Sequence, residues 1–191
     1  KPGLVVGQVQ EVGHPLILAQ KNYTVEKTGQ SFPYGALESA EKVADIVEEW
    51  TLLHNPTKII IEQTNKGKNR YSQKQLEFVH FAVLKRLRSL GFEKQISFID
   101  TSEWRRLLGQ HMSKDDKKNN AKVSKAKKTE NFHAAKKVAG VRGKITPKHL
   151  ALRWVKDHYG QDLRMKENDI ADAICILAAG AMSTAVFCDG T

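Results

Sequence analysis

Residues 58–62 read KIIIE, a β-branched run that ends in a carboxylate, and this stretch decides the fold. Three consecutive isoleucines are typical of a strand that is buried on both faces beneath covering helices. A charged side chain at the end of such a strand is costly to bury unless it is paired or holds a cation. Glu62 is therefore a candidate functional residue, although a glutamate that simply reaches water at a strand end gives the same pattern.

The elements around this strand predict a single α/β domain over residues 1–191. β-Branched or alternating apolar residues predict three further strands: residues 3–10, 16–26 and 95–99. Apolar residues at helical spacing, with caps and glycine stops, predict helices: residues 37–53, 73–90, 102–108, 148–159 and 168–182. Residues 65–72 predict a basic loop. The element order predicts a mixed β-sheet with helices on both faces.

Two more carboxylates begin the last predicted helix, in the stretch NDIADAICILA that starts at Asn168. Asp169 and Asp172 are three residues apart, so they share one helix face. Acids at a helix start complement the macrodipole, but that explains one aspartate better than two followed by a wholly apolar helix. Together with Glu62 they offer the hard oxygen ligands that Mg²⁺ prefers. Two such ions about 4 Å apart can hold both oxygens of a phosphodiester displacement.

The net charge of +10 is concentrated in one segment. Residues 113–148 contain twelve Lys and Arg against three acidic residues, a net +9, and the rest of the chain is nearly neutral. Such a block favours a polyanionic partner, most often nucleic acid, over a loop that only aids solubility. Two cysteines cannot form a disulfide framework, so a reducing cytoplasm is expected. The longest apolar run is interrupted by Ser183 and Thr184, so no membrane partner is expected.

Four stretches, taken in order, resemble the RuvC family of Holliday-junction resolvases within the RNase H-like superfamily. IIIEQ at residues 59–63 resembles the family's second acidic motif, and DIADA at residues 169–173 resembles its closing Asp-x-x-Asp-Ala motif. FIDTSEWRRLLG at residues 98–109 resembles the strand and short basic helix between them. Thr146-Pro147-Lys148 resembles the place where the family carries a lysine near its active site. The order and spacing match over nearly the whole chain, except for a Lys-rich insertion at about residues 110–143.

The resemblance implies a divalent-metal-dependent endonuclease that cuts branched DNA, most concretely Holliday junctions. Glu62, Asp169 and Asp172 would bind two Mg²⁺ or Mn²⁺ ions, and Lys148 would stabilise charge on the scissile phosphate. A homodimer is implied because two symmetric cuts need two active sites, in a bacterium or a phage-infected cell. The family also carries an aspartate on an opening strand. Residues 1–6, KPGLVV, resemble the turn and strand that follow, so the first strand is expected to be missing and this chain inactive.

The expected DNA-binding residues lie in the basic loop, the short basic helix and the insertion: Lys66, Lys68, Arg70, Tyr71, Arg105, Arg106, Lys117, Lys118, Lys122, Lys125, Lys127, Lys128, Lys136, Lys137 and Lys144. Trp104 falls at a helical core spacing and is predicted to be a packing residue. Two alternatives remain open. One is a junction-binding module without catalysis, which a missing aspartate would fit. The other is an RNase H-like nuclease acting on RNA or another branched substrate.

Overall fold

The computed structural model describes residues 2–11, 13–26, 29–63, 70–128 and 143–185. The predicted DNA-binding residues Lys66, Lys68, Lys136 and Lys137 lie outside these ranges.

The amino-terminal part of the chain forms an antiparallel hairpin. Strand β1, Gly3–Gln8, pairs with strand β2, Leu16–Asn22, with a register shift between Val6 and Gly7. Gly13 in the connecting turn has a φ of +91°, a left-handed conformation that glycine adopts without a Cβ penalty. The hairpin predicted from the sequence is confirmed, with both strands ending earlier than the apolar pattern suggested.

The isoleucine run forms the first strand of a parallel pair. Strand β3, Ile59–Glu62, pairs with strand β4, Ile96–Ile99, and Glu62 lies opposite Ile99. The N–H of Gln63 extends this pairing by donating to the Ile99 carbonyl at 2.8 Å. Because the strands are parallel, both end at the same edge, which places Glu62 beside the residues that follow β4.

Six α-helices lie within the described residues: α1 Tyr34–His54, α2 Arg70–Ser89, α3 Thr101–Leu107, α4 Lys114–Ala126, α5 Pro147–Tyr159 and α6 Asn168–Ala185. Two short 3-10 helices, Glu93–Gln95 and Met165–Glu167, precede β4 and α6. Helices α1 and α2 bury one core, which Ile59 and Ile61 contact. Helices α3, α5 and α6 bury a second core, which Ile60 contacts. Successive strand residues thus point to opposite cores, so each face of β3 contacts a core as its composition predicts, but its four residues are only partly buried and line a cavity.

A cavity of about 690 Å³ is lined by both β1 and β3. Within the described residues each of these strands is hydrogen-bonded to one neighbour only, so the structure contains two two-stranded sheets. Strands β1 and β3 run in opposite directions along α6, because β3 passes from Ile60, which contacts Gly180 near the end of the helix, to Glu62, which lies near Asp172 at its start. A Cβ on Gly3 would clash with the backbone of Asp169 at the start of α6, and one on Gly7 would meet Leu177 further along. Glycine at residue 3 therefore allows β1 to approach the first turn of α6.

Two local predictions need correction. Arg70 and Tyr71 belong to α2 and not to a loop, because the helix begins before its apolar pattern does. Helix α3 spans residues 101–107 where residues 102–108 were predicted, and its cap is Asp100, whose carboxylate accepts the Ser102 N–H at 2.6 Å. The first half of the insertion is a helix whose Asp116, Val123 and Ala126 are buried, so α4 packs against the protein. Among the described helices, none combines the length and apolar character that a bilayer crossing requires.

Candidate functional site

Glu62 is held at the end of β3 by two donors from α3. Its Oε1 accepts a hydrogen bond from the Thr101 hydroxyl at 2.6 Å and another from the Trp104 indole N–H at 3.0 Å. Trp104 is fully buried, so its ring is both a core residue and a donor to a carboxylate. Hydrogen bonds to an ionised acceptor are stronger than neutral ones, and two on one oxygen fix the orientation of the side chain.

Asp172 lies beside Glu62 in an unfavourable position for a negative charge. Burial raises the pKa of Asp172 to about 6, and the negative charges of Glu62 and Asp169 add to this rise. The positive charge of Arg105, and to a smaller extent that of Lys148, opposes it. Its Oδ1 is buried and has no hydrogen-bond partner among the described residues. A buried carboxylate oxygen without a donor, next to two other carboxylates, is an environment that a cation would stabilise.

Asp169 lies one helical turn before Asp172, and its Oδ1 accepts a hydrogen bond from the Asn168 amide at 2.8 Å. Glu62, Asp169 and Asp172 all line the cavity described above. Within the described ranges, however, no three His, Cys, Asp or Glu side chains converge as a ready-made metal-ligating group. The three predicted metal ligands are thus brought to one cavity and interact electrostatically, but they do not form a closed coordination shell.

Two cations flank the carboxylates. Arg105 and Lys148 are both within electrostatic range of Asp172, and the Arg105 guanidinium lies over the Trp104 ring at 4.7 Å. Lys148 is exposed in the first turn of α5. Arg105 was predicted only as a DNA contact, yet its position beside Asp172 makes it part of the site.

Sequence reasoning missed three residues of this site: Thr101, Trp104 and His80. His80 on α2 lines the same cavity, and burial lowers its pKa while Glu62 opposes that shift. Thr101 and Trp104 could have been found from the parallel pairing of β3 and β4, since the start of α3 must then meet the end of β3. No local signal marks His80.

Cys175 lies deeper along α6 and does not supply a reactive thiol. The amide of Gln110 donates to its Sγ at 3.1 Å, and burial raises the pKa of the Cys175 thiol to about 12. The thiolate is the nucleophilic form of cysteine, so this side chain is a core residue.

A lysine-rich surface covers the solvent side of α4. The five lysines of α4 are exposed, as are the two that directly follow it: Lys114, Lys117, Lys118, Lys122 and Lys125, then Lys127 and Lys128. Arg70, Arg106 and Lys144 are exposed elsewhere in the chain. The opposite side of α4 is anchored by Asp116, whose two carboxylate oxygens accept from Arg153 at 3.1 and 3.2 Å. These bonds hold the pKa of Asp116 below its usual range. The lysines are therefore presented by a docked helix.

Comparison with known proteins defines the class of fold. No protein-family model matches the sequence, and no curated protein matches it either. Among solved structures, the chain is similar to T. thermophilus RuvC in complex with a Holliday junction substrate, with a TM-score of 0.56 and 14% identity over 96% of this chain and 88% of that chain. A second Thermus thermophilus RuvC structure matches with a TM-score of 0.56 and 16% identity over 97% and 89%. The chain therefore shares its mixed α/β fold with these RuvC structures, as the sequence predicted.

Proposed function

We propose that this protein is a divalent-metal-dependent endonuclease that hydrolyses phosphodiesters in branched DNA, with four-way junctions as the leading substrate. The observation that carries the proposal is the environment of Asp172: a buried, unpartnered carboxylate oxygen beside Glu62 and Asp169 in a cavity of a RuvC-like fold. Such a group of carboxylates is unfavourable without a cation. This arrangement therefore suits a site whose reaction requires a bound metal ion.

The donor chemistry fits Mg²⁺ or Mn²⁺, because all three side chains offer hard oxygen ligands. We propose that Glu62, Asp169 and Asp172 hold the metal, which would activate water and neutralise charge on a phosphate. Thr101 and Trp104 occupy one oxygen of Glu62, so its second oxygen is the one available to a metal. Lys148 and Arg105 would stabilise negative charge that develops on the scissile phosphate.

The cavity between β1 and β3 suggests what completes the site. The cavity has a volume of about 690 Å³, and β1 and β3 line it with edges that have no hydrogen-bonded neighbour strand among the described residues. A strand between β1 and β3 would pair with both of these edges. Running parallel to β3, it would end beside Glu62 and next to Gly3. We propose that such a strand carries the further carboxylate that the resemblance implies.

The lysine-rich surface of α4 is proposed to bind the phosphates of the DNA arms. Its charge suits any nucleic-acid backbone, so α4 would provide affinity and the carboxylate site would provide chemistry. A homodimer is proposed on chemical grounds, since a four-way junction is resolved by two symmetric cuts.

One observation favours a second function, junction binding without catalysis. The three carboxylates do not converge as a metal-ligating group within the described residues. A protein with this fold and an incomplete site would still bind branched DNA through its lysines.

A cleavage assay separates the two functions. Matched four-way, flap and linear duplexes are incubated with Mg²⁺ or Mn²⁺ and either this chain or the chain extended at its amino end. The extension is a short strand of alternating apolar residues with one aspartate; the same strand with asparagine is its control. We expect metal-dependent cutting of the four-way junction with the aspartate extension, abolished by Glu62→Gln and unaffected by Glu103→Gln, an exposed glutamate on α3.

Each outcome has a defined meaning. Cutting by the unextended chain would refute the need for an added strand and support the nuclease. Selective junction binding with no cutting by any form would refute the nuclease and support the binding module. Equal cutting of all three substrates would refute junction preference.

A further inference from the structure

Asn120 on α4 forms two hydrogen bonds with the backbone of Ile145, which lies 25 positions later in the chain. Its side-chain amide donates to the Ile145 carbonyl at 2.8 Å, and the Ile145 N–H donates to its side-chain carbonyl at 2.8 Å. A neighbouring β-strand would engage the same two backbone groups. The adjacent Asn119 adds a bond to the Gly143 carbonyl at 3.2 Å. Both asparagines therefore fix the point at which the chain returns from the insertion.

The short segment between Ile145 and Lys148, which leads to the candidate site, is conformationally restricted. Thr146, directly after Ile145, caps α5 with His149: its N–H donates to His149 Nδ1 at 3.1 Å, and its hydroxyl lies 2.8 Å from the same nitrogen. Pro147 follows with a ring-restricted φ. Lys148 is the next residue, three positions after Ile145. The backbone of Lys148 is thus placed by Ile145, which Asn120 holds.

Helix α4 is itself a fixed support. Arg153 on α5 bonds both carboxylate oxygens of Asp116, and Val123 and Ala126 are buried. The Ser113–Asp116 capping box closes the first turn of the helix. The helix that exposes the lysines therefore also holds the turn that carries Lys148.

We propose that Asn120 is a positioning residue for Lys148: it sets the place of the Lys148 ammonium relative to Asp172 and links the lysine-rich helix to the carboxylate site. The inference deepens the proposed function, because the catalytic consequence rests on the role proposed there for Lys148. Small displacements of a charged group at a reacting centre are enough to lower a rate substantially.

The first test needs no activity. Lysines are dimethylated with ¹³C, which retains their charge, and the Lys148 signal is assigned by its loss in Lys148→Arg. Asp172→Asn should shift this signal, since the two groups interact in the parent protein. In an Asn120→Ala background we expect that response to shrink at least twofold and the Ile145 amide to exchange with solvent at least tenfold faster. Ala121→Ser, a change at an exposed residue of the same helix, should alter neither. An unchanged Lys148 response in Asn120→Ala would overturn the proposal.

The second test is a double-mutant cycle in the junction-cleaving form of the protein. Asn120→Ala should lower kcat about tenfold with little change in KM, and should have no further effect when Lys148 is already alanine. If Asn120→Ala lowers kcat by the same factor with and without Lys148→Ala, Asn120 acts on the structure in general and the proposal is overturned. If no form cleaves, the proposed function fails while the NMR comparison still decides the positioning role. Should Asn120→Ala not fold, Asn120→Asp keeps the acceptor for Ile145 N–H and takes its place in both tests.

Discussion

Replacing Asp172 by asparagine should make the metal-free protein more stable while it removes the proposed metal ligand. In the folded protein the Asp172 carboxyl is partly buried beside Glu62 and Asp169, and its Oδ1 has no donor among the described residues. Asparagine has nearly the same shape and no charge. Its amide group can also donate to the neighbouring carboxylates, so the new polar atoms gain acceptors.

The size of the effect follows from the pKa of Asp172, which rises from 3.8 to about 6 on folding. Two pKa units correspond to about 3 kcal/mol at about 1.36 kcal/mol per unit, an upper bound on the gain at neutral pH. Because the folded pKa is raised, the folded state binds the proton more tightly than the unfolded state. The penalty is therefore absent below about pH 4, grows as the pH rises towards 6 and is constant above that value.

Urea denaturation of both proteins with a chelator, at pH 4, 5.5 and 7.5, measures this directly. We expect equal free energies of unfolding at pH 4 and a gap of up to about 3 kcal/mol in favour of the asparagine variant at pH 7.5. Adding Mg²⁺ should stabilise the parent and not the variant, closing the gap. Asp157→Asn, an exposed aspartate on α5, is the matched control and should change stability by less than about 0.5 kcal/mol. A parent as stable as the variant at pH 7.5, or a gap independent of pH, would refute the reasoning.

Three other predictions follow from the site and its supports. Trp104→Phe keeps most of the buried ring but removes the N–H that holds Glu62. Urea denaturation should show that the free energy of unfolding falls by about 1–3 kcal/mol, and an unchanged midpoint would mean that this bond is not needed for stability. Gly3→Ala places a Cβ against the Asp169 backbone, and should destabilise the protein by about 1–3 kcal/mol in the same assay; full stability would contradict the close approach of β1 to α6. Replacing four exposed α4 lysines by glutamine should flatten the salt dependence of DNA binding by about three to four units, measured by fluorescence anisotropy, and superimposable salt slopes would exclude α4 from the interface. Those lysines are Lys117, Lys118, Lys122 and Lys125.

The sequence by itself determined the elements and the placement of the acidic residues on them. Strand β3 could be predicted because three β-branched residues in a row favour extended backbone, and each of its two faces contacts one of the two cores, although its four residues are only partly buried. Asp169 and Asp172 share a face of α6 because helical geometry alone sets a three-residue spacing. These features depend on a few neighbouring residues, so local patterns are sufficient to predict them.

Only the tertiary structure decided which distant groups meet. The Trp104 indole reaches Glu62 across 42 residues, and Arg153 reaches Asp116 across 37. Nothing in the local pattern of Trp104 distinguishes a donor to a carboxylate from an ordinary core residue, because both need the same apolar spacing. Likewise, the Lys-rich segment has the composition of a solvated arm, yet its first half is a docked helix. The polar contacts that anchor it, between Arg153 and Asp116 and between Asn120 and Ile145, join residues 25 or more positions apart, so the neighbouring sequence does not reveal them.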